Sequence, residues 1–203
     1  MLSQLSNYDR SNHIIKVGFD MDGVLLYNPA RLLRPLISQL KKKDVCIHRK
    51  ELEFYVPQTR WEEIIWELFH KSSIFVAPGL DQIQQYREQG LLDPYLITGR
   101  FAHLRKDFEK WQRKLNTAEV FNQALMNDQD EQPHLFKERK IKELGLEYFI
   151  EDNWDIVHYL SERLSGQCQI FWVTNIFDKK IDYPHKFRSL KQALAALPLK
   201  ILK

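Results

Sequence analysis

The stretch Ile14-Ile15-Lys16-Val17-Gly18-Phe19-Asp20-Met21-Asp22-Gly23 decides the fold of this chain. Its first six residues are short, mostly apolar and partly β-branched, which suits a central strand buried on both faces. The run ends abruptly in Asp20 and Asp22, two positions apart, so that extended backbone points both carboxylates the same way. Paired carboxylates repel unless a cation sits between them or one takes a proton. A hard ion such as Mg2+ relieves that repulsion and also binds phosphate oxygens. A carboxylate held there is a nucleophile able to form an aspartyl-phosphate. Gly23 lets the chain turn sharply after the pair. An Asp-x-Asp-Gly sequence also opens calcium loops, but an EF-hand needs a helix on each side and a terminal Glu, whereas a buried-type strand precedes this pair.

Further along the chain the same grammar recurs. Tyr95-Leu96-Ile97 predicts a strand closing on Thr98-Gly99-Arg100, and Tyr148-Phe149-Ile150 a strand running into Glu151-Asp152. Ile170-Phe171-Trp172-Val173 is another strand, and Glu119-Val120-Phe121 reads as a short one. Between them the pattern predicts helices from Pro78-Gly79 to Glu88, from Ala102 to Leu115, from His134 to Leu144, from Asp155 to Leu164 and from Ser189 to Leu197. Strands alternating with helices of this length imply an α/β fold, a three-layer Rossmann-like parallel sheet. Ligands of such sheets bind beyond the carboxyl ends of the strands, where the polar strand ends of this chain converge.

The stretch 28–76 breaks the alternation. Leu32, Leu33, Leu36, Ile37 and Leu40 recur at helical spacing, and Trp61, Ile64, Ile65, Leu68 and Phe69 make one apolar face of a second helix. The expected organisation is a core of residues 1–27 and 77–203 with a small helical insert over 28–76 after the first strand. Phe54, Tyr55, Trp61, Trp66 and Phe69 are expected mostly to form the insert's own core, with one or two facing Asp20.

Composition narrows the function classes. Of 203 residues, 44% are hydrophobic and 28% charged, and 30 basic against 27 acidic residues give +3, too small an imbalance to argue for nucleic acid or a membrane surface. Cys46 and Cys168 have no zinc spacing and read as two reduced thiols. There is no apolar run of 18 residues, and the polar start Met1 to His13 lacks a signal core, so the expected location is the cytoplasm.

The remaining polar residues carry two readings each. Thr98 supplies a hydroxyl beside exposed amides, an anion site or a simple helix cap. Arg100 either reaches a substrate phosphate or is a surface residue. Lys137 belongs to a basic face with Arg139, Lys140 and Lys142 that is either solvated or a charge balance for carboxylates and phosphate. Glu151 and Asp152 are helix-start acids or metal-facing ones.

Taken in order, the Asp20-Met21-Asp22-Gly23-Val24 strand end, Thr98-Gly99-Arg100, Lys137 and Glu151-Asp152 resemble the four-motif signature of the haloacid-dehalogenase superfamily. The resemblance spans the chain apart from the insert. It implies that Asp20 is the nucleophile and that Asp22 protonates the leaving oxygen and later activates water, a second Asp at this place resembling the phosphatase branch. It implies that Thr98 and Gly99 orient the phosphoryl group with Lys137, Lys140 being the alternative one turn later, 15 and 12 positions before Asp152. Asp20, Asp22 and Asp152 are the implied Mg2+ ligands. Glu151 departs from the commoner Asp-Asp form, and Glu151 and Arg100 are secondary candidates. The insert resembles a small helical cap that chooses the substrate. The layout is also similar to bacterial phosphatases related to the 5'-nucleotidases. The expectation is therefore an enzyme, a Mg2+-dependent phosphomonoesterase acting on a small phosphorylated metabolite, with nucleoside monophosphates as one class. The competing reading is a catalytically weak regulatory or binding protein on the same fold, against which the intact set Asp20, Asp22, Thr98, Lys137 and Asp152 argues.

Overall fold

Strand β1 covers Ile15–Phe19, and its side chains alternate as the pleat demands. Ile15, Val17 and Phe19 enter one apolar cluster, while at Gly18 the side chains of Leu146 and Phe149 press in from the other face. The computed structural model describes residues 13–27, 52–57, 59–71, 73, 75–174 and 180–199.

After β1 come β2 (Leu26–Tyr27), helix α1 (Arg60–Lys71), β3 (Phe75–Val76), α2 (Leu80–Glu88) and β4 (Leu92–Thr98). There follow a 3-10 turn (Ala102–Leu104), α3 (Arg105–Leu115), α4 (Thr117–Val120), β5 (Gln123–Met126), α5 (Pro133–Leu144) and β6 (Tyr148–Glu151). The chain continues through α6 (Trp154–Arg163), β7 (Gln169–Val173), β8 (Lys186–Phe187) and α7 (Leu190–Ala195). Six strands form one sheet in the order β5-β4-β1-β6-β7-β8, every pair parallel. β2 and β3 form a separate antiparallel pair.

Helices cover both faces of the sheet, giving the three-layer α/β architecture that the strand–helix alternation implies. On one side Ile83, Phe108, Trp111, Leu190 and Leu194 pack against Val17, Phe19, Leu96, Ile150 and Phe171. On the other, Phe136, Ile141, Ile156 and Leu160 pack against Ile97, Phe149, Ile170 and Trp172. Neighbouring residues of β4, β6 and β7 thus serve opposite cores, which is why these strands read as continuous apolar runs.

The order of the strands fixes where a site can form. From β1 the chain builds outward to β4 and β5, then returns to the other side of β1 for β6, β7 and β8. β1 and β6 therefore flank the point where the winding reverses, and a crevice opens beyond their carboxyl ends. Asp20 ends one of these strands and Glu151 the other.

Several expectations shift. The strand expected at Glu119-Val120-Phe121 is instead α4, a single helical turn, and the strand follows it at Gln123–Met126. The strand expected from Tyr95 begins at Leu92 and runs through Pro94. The helix expected from Ala102 opens as a 3-10 turn. The helix expected over Leu32 to Leu40 lies outside the described residues. Of the insert aromatics, Tyr55 and Trp66 lie edge to face at 6.4 Å, Trp61 is 77% exposed, and the Phe54 ring packs on His134 of α5. The side chain of Phe69 lies outside the described residues. No helix among the described residues is long and apolar enough to cross a membrane.

Candidate active site

Pairing of β1 with β6 sets the first element of the site. Phe19 lies opposite Ile150, and the Asp20 amide donates to the Ile150 carbonyl at 2.9 Å, so Asp20 leaves the sheet beside Glu151. The turn that follows is tight: Gly23 has φ 85° and its amide donates to the Leu26 carbonyl at 2.7 Å. Positive φ of this kind is ordinary for glycine and strained for residues with a Cβ.

Lys137, on α5, joins the two strand ends. Its Nζ donates to Asp20 Oδ1 at 2.8 Å and to Glu151 Oε2 at 2.6 Å, and the residue is only 2% exposed. Burial opposes its charge, but Asp20 and Glu151 outweigh that and lift its pKa above the usual lysine value. The ammonium therefore stays charged. Lys140, by contrast, faces outward and pairs with Glu143 at 2.7 Å. Of the two lysines, the fold brings Lys137 to Asp20.

Glu151 is anchored at both oxygens. Oε2 meets Lys137, and Oε1 accepts from the amides of Asp152 (3.2 Å) and Asn153 (3.0 Å). Trp172 Nε1 donates to the Asp152 carbonyl at 3.0 Å, and Asn153 caps α6 through the Asp155 amide. One oxygen from each of Asp20, Glu151 and Asp152 lies within 4.8 Å of the others. Three carboxylates are an oxygen-only donor set, which fits a hard cation such as Mg2+ and not a soft one. Asp22, the third ligand expected from sequence, stands outside this group, and Glu151 takes its place in it.

Asp22 is engaged elsewhere. Arg100 grips it with two parallel bonds, Nε to Oδ2 at 2.7 Å and one terminal nitrogen to Oδ1 at 2.8 Å. The other terminal nitrogen donates to Asp107 on α3 at 2.5 Å. Ser73 Oγ donates to Asp22 Oδ1 at 3.3 Å. Arg100 is 3% exposed, so it is no surface residue. Burial opposes its charge, and Asp22 and then Asp107 more than offset this, holding its pKa above the ordinary value.

Thr98 ends β4, buried, with its hydroxyl oxygen accepting from the Arg100 amide at 3.3 Å. The amides after it do not open a helix directly, because the 3-10 turn intervenes before α3. Gly99 packs against the start of α5: a Cβ there would stand 2.8 Å from Pro133 Cβ and 3.6 Å from Lys137 Cε. Ser73 and Asp107 were not singled out in the sequence, where nothing in spacing or neighbours marks them. Their roles as partners exist only in three dimensions.

No protein-family model matches the chain, and no curated protein does so either. Solved structures do resemble it. CbbY from Rhodobacter sphaeroides, in complex with phosphate, has a TM-score of 0.56 and 11% identity, with 88% of this chain and 95% of that one covered. A protein described as a beta-phosphoglucomutase from Thermotoga maritima has a TM-score of 0.55 and 16% identity, covering 91% and 98%. The HAD-hydrolase YfnB from Bacillus subtilis, bound to magnesium, has a TM-score of 0.55 and 14% identity, covering 90% and 98%. At these identities the likeness is one of fold.

Proposed function

From a chain with the haloacid-dehalogenase hydrolase fold, we propose a Mg2+-dependent phosphomonoesterase that works through an aspartyl-phosphate on Asp20. The observation that carries this reading is the set around Asp20: a strand-end carboxylate at the sheet's reversal point, 2.8 Å from a buried lysine and grouped with two further carboxylates.

In this reading an Asp20 oxygen attacks phosphorus, the bond from phosphorus to the ester oxygen breaks, and Asp22 gives that oxygen a proton. Asp22 then takes a proton from the water that attacks the aspartyl-phosphate, releasing inorganic phosphate and restoring Asp20. Lys137 spreads positive charge to the attacking carboxylate and the incoming phosphoryl oxygens. Thr98 and Gly99 contribute the hydroxyl and close backbone on which a phosphoryl group can be oriented. Asp20, Glu151 and Asp152 would hold Mg2+, which would supply charge neutralisation for the phosphoryl group. Arg100 engages both oxygens of Asp22, which leaves that side chain outside the carboxylate group assigned to the metal.

The segment 28–76 is read as a cap that selects a small phosphorylated metabolite. Support comes from Ser73, which reaches Asp22, and from Phe54, whose amide and carbonyl both bond the Gln132 side chain just before α5. Nucleoside monophosphates are one class to include in a substrate panel.

Two measurements test this. Asp20→Asn keeps shape and removes the nucleophile, so hydrolysis of p-nitrophenyl phosphate should fall on the order of a thousandfold or more. Turnover near the wild-type rate by a folded variant would exclude the covalent mechanism. Chelation with EDTA should abolish activity, Mg2+ should restore it, and Ca2+ should restore little because its larger shell is looser. Full activity in protein stripped of metal would count against the ion.

A further inference from the structure

Arg100 is a strongly buried cation beside Asp22 that the reaction as written leaves without a task, and its geometry is specific. Its side chain is 1% exposed. The fork made by Nε and one terminal nitrogen meets both oxygens of Asp22, which fixes the plane of that carboxylate as well as its position. The remaining terminal nitrogen is tied to Asp107, a residue of α3, so the guanidinium is aimed from behind by a different element. Ser73 adds a further donor at Oδ1. An ammonium could not reproduce this, because it is a point charge without a planar fork. The arrangement directs the donors of Arg100 at protein carboxylates.

We propose that Arg100 is a positioning residue for Asp22, aimed by Asp107, and that it acts on departure of the leaving group and not on phosphate binding. The proposal rests on the reading of Asp22 as the residue that protonates the leaving oxygen. It separates Arg100 from Lys137, Thr98 and Gly99, whose tasks concern the phosphoryl group.

The test compares two substrates by kcat/KM, which covers the steps through leaving-group departure and omits the later hydrolysis of the aspartyl-phosphate. p-Nitrophenyl phosphate releases a phenolate that needs no proton, and benzyl phosphate releases an alkoxide that does. Arg100→Gln and Arg100→Lys should each lose about a hundredfold on benzyl phosphate and less than about fivefold on p-nitrophenyl phosphate, the size expected when one general acid is misplaced. Asp107→Asn leaves the fork in place and should show the same selectivity at about tenfold, and it decides the matter if the Arg100 variants do not fold by circular dichroism. Equal losses on both substrates with raised KM mean that Arg100 binds phosphate, and unchanged activity on both means that it only packs; either result overturns the proposal. A wild-type protein that hydrolyses neither substrate with Mg2+ overturns the phosphatase reading itself, and the proposal with it.

Discussion

A methyl group at position 99 would sit 2.8 Å from the ring of Pro133, closer than carbon atoms tolerate, and 3.6 Å from the side chain of Lys137. The ring belongs to the first residue of α5, so it cannot yield without moving the helix that presents the lysine. Gly99→Ala should therefore destabilise the fold by about 1–3 kcal/mol, the usual range for overpacking, and lower kcat/KM at the same time. Urea denaturation and steady-state kinetics on the same preparation check both halves; a variant of unchanged stability would show that the ring gives way freely. At this scale the sequence was informative where a side chain ends a strand. Asp20, Asp22, Thr98 and Glu151 stand at apolar strand ends and were legible for that reason. Asp107 was not, because it lies mid-pattern on a charged helix and gains meaning only from Arg100, seven positions earlier. Arg100 itself showed its charge in the sequence but not its partners.

Among the elements, α5 does the most varied work. It carries Lys137 toward Asp20, and one turn nearer its start it buries His134 between Phe54 and Tyr159. Nδ1 of that imidazole has no hydrogen-bond partner among the described residues. Burial pushes its pKa below the usual value; Glu138 opposes this and Arg163 adds to it. The unfolded chain therefore takes up a proton at this residue at higher pH than the native protein does, so the neutral ring's contribution to stability fades as pH falls below about 6.5. His134→Phe should lose less stability than the wild type between neutral and mildly acid pH, measured as the midpoint of chemical denaturation. Parallel curves for the two proteins would mean that His134 takes no part in the acid response. The elements most poorly legible were those whose residues have the wrong local preference. Gln123-Ala124-Leu125-Met126 is rich in helix formers and becomes a strand because β4 pairs with it, and Pro94 disguised the first half of β4 as a loop. β8 is two residues long, too short to leave any periodicity.

At the scale of the whole molecule, the alternation of strand and helix sufficed to imply the parallel sheet, and the reversal of strand order explains why polar strand ends far apart in sequence meet. What composition and periodicity do not contain is the path of 28–76 relative to the site, since few of its apolar residues announce which surface they face. The pairing of β1 with β6 carries a kinetic cost. It joins backbone such as that of Lys16 to the side chain of Glu147, 131 positions away, and it sets Asp20 beside Glu151. Closing so long a loop is entropically slow, while the local turns of α3, α5 and α6 form quickly. On dilution from denaturant, helical circular dichroism should return first and hydrolytic activity later, in a separate phase. Activity that reappears together with the earliest helical signal would contradict this order. The nascent chain shares the constraint: β4 can pair with β1 once residue 98 has been made, but until residues near position 150 follow, the carboxylate at position 20 lacks Glu151 and Asp152 beside it.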